Sequence, residues 1–239
     1  DVVKVLAGPE KVSVYVFPEA NAYVEFARGV ENRNVDANAA QAGEAHANFE
    51  TEQPYLVAFA PPAGIATDTP ASTPAKKTVR SPRRSRTETA RPASGPERSL
   101  TGLLVEKLVA GACEQAGKAP PWLCLGLSAH MAAQVEPRSP YYPRLRADLA
   151  TLAGQQWDAN RARNLLNEGD ENQRRIAGLG LIDFLAASNP NVLGPFVRQL
   201  ILDGPGQLDN VLKQALGIDN VDLFYNAWGA WIVQASGRR

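Results

Sequence analysis

The hydrophobic positions of this chain change period once. In "KVSVYVF", Lys11 to Phe17, Val12, Val14 and Val16 alternate with Ser13, Tyr15 and Phe17. A period of two with apolar residues in both sets predicts a strand covered on both faces, ended by Pro18. "EANAYVEFARGV" then places Tyr23, Phe26, Ala27 and Val30 at helical spacing and predicts a short helix. "YLVAFA", Tyr55 to Ala60, reads as a second buried strand. Asn32 to Glu50 is polar, rich in alanine and without a clear period, which predicts a loop with a weak strand.

Beyond Ser99 the period is helical throughout. Ser99 can cap a helix that runs to about Ala116, with Gly117 as its stop. Pro120-Pro121 opens a second helix to about Val135. "SPYYPRLRADLATLAG" predicts a third, and "DANRARNLLNEG" a fourth between Asp158 as cap and Gly169 as stop. Asp170 and Gln173 have the spacing of a capping box, and the helix they open ends before Pro190. "NVLGPFVRQLILDG" follows, with Gly194-Pro195 expected to delay its start. A helix to Gly217 comes next. The last carries Val221, Phe224, Tyr225, Trp228, Trp231 and Ile232 on one stripe. No fixed-period repeat occurs, so the helices read as one lobe. The fold class is therefore α+β, a small N-terminal sheet with a helix followed by a mainly α-helical lobe.

Composition sets the boundaries. From Pro61 to Ser99 the chain holds seven of its eighteen prolines, eight Lys or Arg, three Asp or Glu and no aromatic residue. Such a stretch has too little apolar surface to offset the entropy of ordering it. The expected organisation is an N-terminal α/β part over residues 1–60, a Pro/Arg-rich flexible insertion over 61–98 and a helical lobe over 99–239. Net charge is zero, and the chain outside the insertion carries 17 basic and 22 acidic residues. With no aromatics among the basic residues, a stacking platform for single strands is missing, and nucleic acid is not the expected partner. No apolar run reaches the length of a membrane span; "IAGLGLIDFLAA" is too short and contains Asp183. The chain opens on Asp1 and reads as a processed or excised piece, with export or a periplasmic location left open.

Candidate chemistry is sparse. Cys113 and Cys124 read as two buried thiols, or as a disulfide between two helices if the protein is exported. His46 and His130, the two histidines, read as isolated residues. Cys124 and His130 are six positions apart, which is not a facing helical spacing. No dinucleotide, P-loop or G-x-S-x-G pattern occurs.

One stretch, "LLVEKLVAGACEQAGKAPPWLCLGLSAHM" from Leu103 to Met131, resembles the core of the gluzincin-type, peptidase-MA-like zinc metallopeptidases. Pro120, Trp122, Leu123, Gly126 and Leu127 match that family's P-x-W-[LV]-x-E-G-[LF]-A tract. "VEKLV", Val105 to Val109, falls where its HExxH motif stands. "VSVYVFPEANAYVEFA" and the C-terminal helices, with Trp228 and Trp231, are similar to its flanking parts. The resemblance implies a zincin-like lobe whose metal ligands are lost: Val105 and Val109 replace two histidines and Leu125 replaces a glutamate. Aliphatic side chains offer zinc no lone pair. Glu106 alone remains, with no metal-bound water to activate, and pairs with Lys107 or Arg98 as the expected alternative role. No cofactor is implied.

The function so implied is that of a non-catalytic pseudo-peptidase, a structural or protein-interaction subunit with another protein or an assembly as partner. Trp122, Tyr225, Trp228 and Trp231 are the candidate binding residues, with core closure as the competing role of the last helix. The alternative is a hydrolase with a non-zinc site, using Glu106 and other carboxylates.

Overall fold

The computed structural model describes residues 12–36, 44–49, 54–59 and 99–237. The predicted insertion at 61–98 lies outside the described residues. Within them the chain is α+β and mainly helical, with three strands near the N-terminus followed by helices.

The sheet comprises β1 (Ser13–Phe17), β2 (Glu44–Asn48) and β3 (Tyr55–Phe59), in the order β1-β3-β2. β1 runs parallel to β3, with Val14 opposite Leu56 and Phe17 opposite Phe59. β2 is antiparallel to β3, with His46 opposite Val57 and Ala45 opposite Ala58. The polar stretch between the two predicted strands thus supplies a full edge strand. Helix α1 (Ala20–Gly29) covers one face: Tyr23, Val24 and Ala27 pack with Val57 and Phe59. Helix α2 (Leu100–Gln115) covers the other, where Leu103 meets Ala45 and Ala58.

Two expectations need correction here. β1 is not covered on both faces: Val14, Tyr15 and Val16 are each about half exposed, because among the described strands β1 stands at the edge and α2 packs on β2 and β3. Val30 lies past the end of α1 and is exposed, so it leaves the helix's apolar stripe.

The lobe continues with α3 (Pro121–Val135), α4 (Tyr141–Gln155), α5 (Ala159–Asn167), α6 (Glu171–Ser188), α7 (Pro190–Asp203), α8 (Leu208–Leu216) and α9 (Val221–Gly237). Local chemistry fixes most of these ends. The Ser99 side chain accepts from Gly102 N, and Asp158 accepts from Arg161 N. Both halves of the Asp170–Gln173 capping box are formed. Gly217 ends α8 in the left-handed region, which glycine enters without steric cost. α7 starts earlier than expected. Pro190 takes the first helical position and Asn189 accepts from Asn191 N, so Pro195 is carried inside the helix. Phe196, Val197 and Leu200, all buried, hold that turn against the lobe.

α6 is the centre of the lobe, buried from Ile176 through Ile182 and in contact with α3, α4, α5, α7 and α9. It crosses α3 where two glycines meet. A Cβ on Gly126 would lie 2.3 Å from the Gly178 carbonyl carbon, and one on Gly178 would lie 2.2 Å from the Trp122 carbonyl oxygen. The backbones touch, so the spacing of α3 and α6 is set by the absence of side chains. α2 packs along α3, and there Cys113 and Cys124, both buried free thiols, place their sulfurs 2.7 Å apart. The hydrogen bond between them, reinforced by burial, pushes the Cys113 thiol far up, which suppresses its thiolate. Alkylation of the native chain should therefore be slow at both cysteines, while denaturant should release both for labelling. Failure to label after denaturation, with a mass lower by two hydrogens, would instead identify a disulfide.

Candidate functional site

The stretch that resembles a metallopeptidase core occupies α2 and α3. These helices lie side by side, as the resemblance requires of Glu106 and Trp122. Val105 and Val109 are half-buried and pack on the lobe's apolar core. Leu125, one helix over, lines a cavity of about 430 Å³ together with Glu106, Cys124, Ser128 and Arg175. Val105 and Val109 are not among its lining residues, so the three positions do not open onto one cavity.

Glu106 is buried at 5% exposure. Arg175 of α6 approaches it, with Nη1 3.3 Å from Oε2. The same guanidinium donates to Glu171 at 2.8 Å and to the Tyr141 hydroxyl at 3.4 Å. Burial alone would lower the Arg175 pKa, but Tyr141 and Glu106 more than offset it, and the net shift is upward. Arg98 lies outside the described residues. A buried carboxylate requires a charged partner. Here a guanidinium supplies it from 69 positions away in the chain, a distance no local pattern spans.

The residues present do not fit a zinc ion. Two valines and a leucine offer no donor, the remaining carboxylate faces an arginine, and among the described residues no group of three or more His, Cys, Asp or Glu could hold a metal.

A second cavity of about 730 Å³ abuts the first along α2, sharing Lys107, Ala110 and Glu114 with it. Its other wall is β2, at His46, Ala47 and Asn48, with Glu31 and Arg33 at the end nearest α1. No residue of β3 lines it, so it runs along the outer side of β2. The Phe49 ring lies over Gly111, where a Cβ would come within 2.1 Å of it, and Gln115 Nε2 donates to the Phe49 carbonyl at 2.7 Å. These contacts fix the end of β2 to α2. Together the two cavities form a polar cleft from the sheet edge to Leu125.

Neither histidine is isolated. His46 on β2 places Nδ1 2.8 Å from the Tyr23 hydroxyl and Nε2 against Glu31. Burial lowers its pKa, an effect that Glu31 partly counters. His130 on α3 places Nδ1 2.7 Å from Asp183 Oδ1, and Arg146 of α4 donates from Nε to Asp183 Oδ2 at 2.6 Å. Sequence reasoning did not find this trio. Its one signal is an aspartate inside the apolar run "IAGLGLIDFLAA".

The aromatic candidates separate into two groups. Trp122 is 1% exposed, and Tyr225 and Trp228 are fully buried, so all three close the core. Trp228 meets Trp157 edge-on with ring centres 5.0 Å apart, and Trp157 Nε1 donates to the Tyr225 carbonyl at 2.9 Å. The Tyr225 hydroxyl donates to Asp209 at 2.8 Å. Trp231 alone of the four is half-buried and lines a cavity, the one that His130 and Arg146 also face. Among the described residues no helix is long and apolar enough to cross a membrane. Comparison with protein-family models, with curated proteins and with solved structures finds no match.

Proposed function

We propose that this chain is a non-catalytic pseudo-peptidase, a structural or protein-interaction subunit built on a gluzincin-like scaffold that has lost its metal ligands. The observation that carries the reading is the environment of Glu106. The one residue that matches the catalytic motif is buried against Arg175, and Val105 and Val109 on the same helix pack on apolar core. Replacing a buried charged site by apolar packing is neutral or stabilising, so a scaffold can outlast its chemistry. The cleft beside β2 is the part of that scaffold available to a partner. β2 pairs only with β3 among the described residues, and an edge strand presents unpaired backbone donors and acceptors to an extended segment of another protein. The lining of Glu31, Arg33, Lys107 and Glu114 offers both signs of charge.

The test has two arms. Zinc at micromolar concentration should leave the melting temperature unchanged, because a metal that binds only the folded chain would raise it. Linear peptides selected on the immobilised chain should cross-link to β2 or α2, and Glu114→Lys should change the charge of the peptides selected. Stoichiometric zinc, or peptide cleavage lost in Glu106→Gln, would replace this reading with that of a hydrolase. One observation favours a non-zinc hydrolase, the His130–Asp183 pair, which has the form of a base and its orienting carboxylate. The neighbouring hydroxyls are turned elsewhere, however: Ser128 donates to the Leu125 carbonyl at 2.9 Å and Ser236 to the Val233 carbonyl at 2.7 Å.

A further inference from the structure

On the other side of α3 from the cleft's Leu125 wall, helices α3, α4, α6 and α9 enclose a crevice of about 700 Å³. An ionic trio opens onto it. Asp183 has both carboxylate oxygens taken: Oδ1 by His130 Nδ1 at 2.7 Å and Arg146 Nη2 at 3.4 Å, and Oδ2 by Arg146 Nε at 2.6 Å. Burial alone would raise the Asp183 pKa. The hydrogen bonds from His130 and Arg146 and their charges outweigh it, and the carboxyl lies below its ordinary value.

What the trio leaves uncommitted is a guanidinium edge, which donates, and an imidazole nitrogen whose role follows the tautomer. His130 has committed Nδ1 and keeps Nε2; Arg146 has committed Nε and Nη2 and keeps Nη1. Among the described residues no protein group takes either. Among the described residues no other charged side chain lines the crevice. Leu149, Ala186, Trp231 and Ile232 form its apolar side, with Trp231 held in place by Phe184 at a ring distance of 5.6 Å.

A structural role alone explains this poorly. Buried ionic groups seldom stabilise a core more than apolar residues of the same volume would, and this cluster is not sealed inside the core. A cation would find no open carboxylate oxygen. A carboxylate would find the uncommitted Nη1 edge of a guanidinium, whose N–H groups suit its oxygens. The volume is that of a site for a small organic molecule.

We propose that this crevice is a binding site for a small amphipathic carboxylate, whose head is received by Arg146 and whose aliphatic or aromatic body lies against Trp231 and Ile232. The site is separate from the cleft beside β2, and the two readings stand or fall independently.

Calorimetric titration of the whole chain tests this with paired probes: phenylbutyrate against phenylbutanol, octanoate against octanol, and acetate alone. The acids should bind roughly tenfold or more tightly than the alcohols, the scale of one charge-assisted hydrogen bond, and acetate should not saturate. Arg146→Gln should remove the preference for acid over alcohol, and Arg146→Lys should restore part of it. Trp231→Ala, at a half-buried position, should weaken acid and alcohol alike. If Arg146→Gln fails to fold, the acid-to-alcohol ratio on the native chain still decides the matter. A short peptide ending in phenylalanine, free or amidated, separates the sources. Tighter binding of the free form than of phenylbutyrate would identify a protein C-terminus as the carboxylate, and weaker binding a free small acid. Equal binding of acids and alcohols, no saturable binding of any probe, or an unchanged preference in a folded Arg146→Gln would overturn the proposal.

Discussion

Trp228→Ala should lower the stability of the chain by roughly 3–5 kcal/mol, the range for truncating a fully buried aromatic side chain. At about 2–4 °C per kcal/mol for a chain of this size, the melting midpoint should fall by about 10 °C. The side chain is fully buried, stands edge-on to Trp157 and lies beside Tyr225. Truncation would leave a void beside Trp157, Tyr225 and Gly180. Trp228→Phe should cost much less. The indole N–H is buried with no hydrogen-bond partner among the described residues, so phenylalanine forfeits volume but no hydrogen bond. Thermal melts of the two variants separate packing from polarity. A Trp228→Ala protein that melts like the parent would show that α9 is not part of the core.

Gly178→Ala should be the second most damaging change, although alanine is the better helix former by about 1 kcal/mol. The added methyl would lie 2.2 Å from the Trp122 carbonyl oxygen and 3.1 Å from Gly126 Cα, which are backbone atoms that no rotamer change can move aside. Overpacking typically costs about 1–3 kcal/mol, and a backbone clash belongs at or beyond the upper end of that range. After the gain in propensity, a net loss of roughly 2 kcal/mol and a midpoint lower by about 4–8 °C are expected. Loss of position should accompany loss of stability. α3 carries Leu125 and His130, and α6 carries Arg175 and Asp183, so both the cleft and the crevice straddle this crossing. Phenylbutyrate binding should weaken in any Gly178→Ala protein that still folds. A variant as stable as the parent would mean that α3 and α6 are free to separate.

The ends of the helices were legible because capping is local chemistry. Ser99 with Gly102, Asp158 with Arg161 and Asp170 with Gln173 each act across three residues, and that spacing is visible in the sequence. The apolar stripe of α9 was legible for a similar reason, since helical periodicity repeats within one element. Gly126 was noticed as part of a resembling tract, but its reason is the backbone of Gly178, which no neighbouring residue announces.

What the sequence determined by itself, then, is the fold class and most of the helix ends, since these depend on residue identity and on spacings of a few positions. The tertiary structure alone decided that β1 stands at the edge of the described strands, that Glu44–Asn48 is a strand, that Arg175 answers Glu106 and that His130, Asp183 and Arg146 meet. Each of those depends on a partner far along the chain: a strand's edge is set by which strands and helices reach it, and a buried carboxylate takes whichever cation the fold delivers. Asp183 and His130 are 53 positions apart, and only the contact of α3 with α6 brings them within a hydrogen bond.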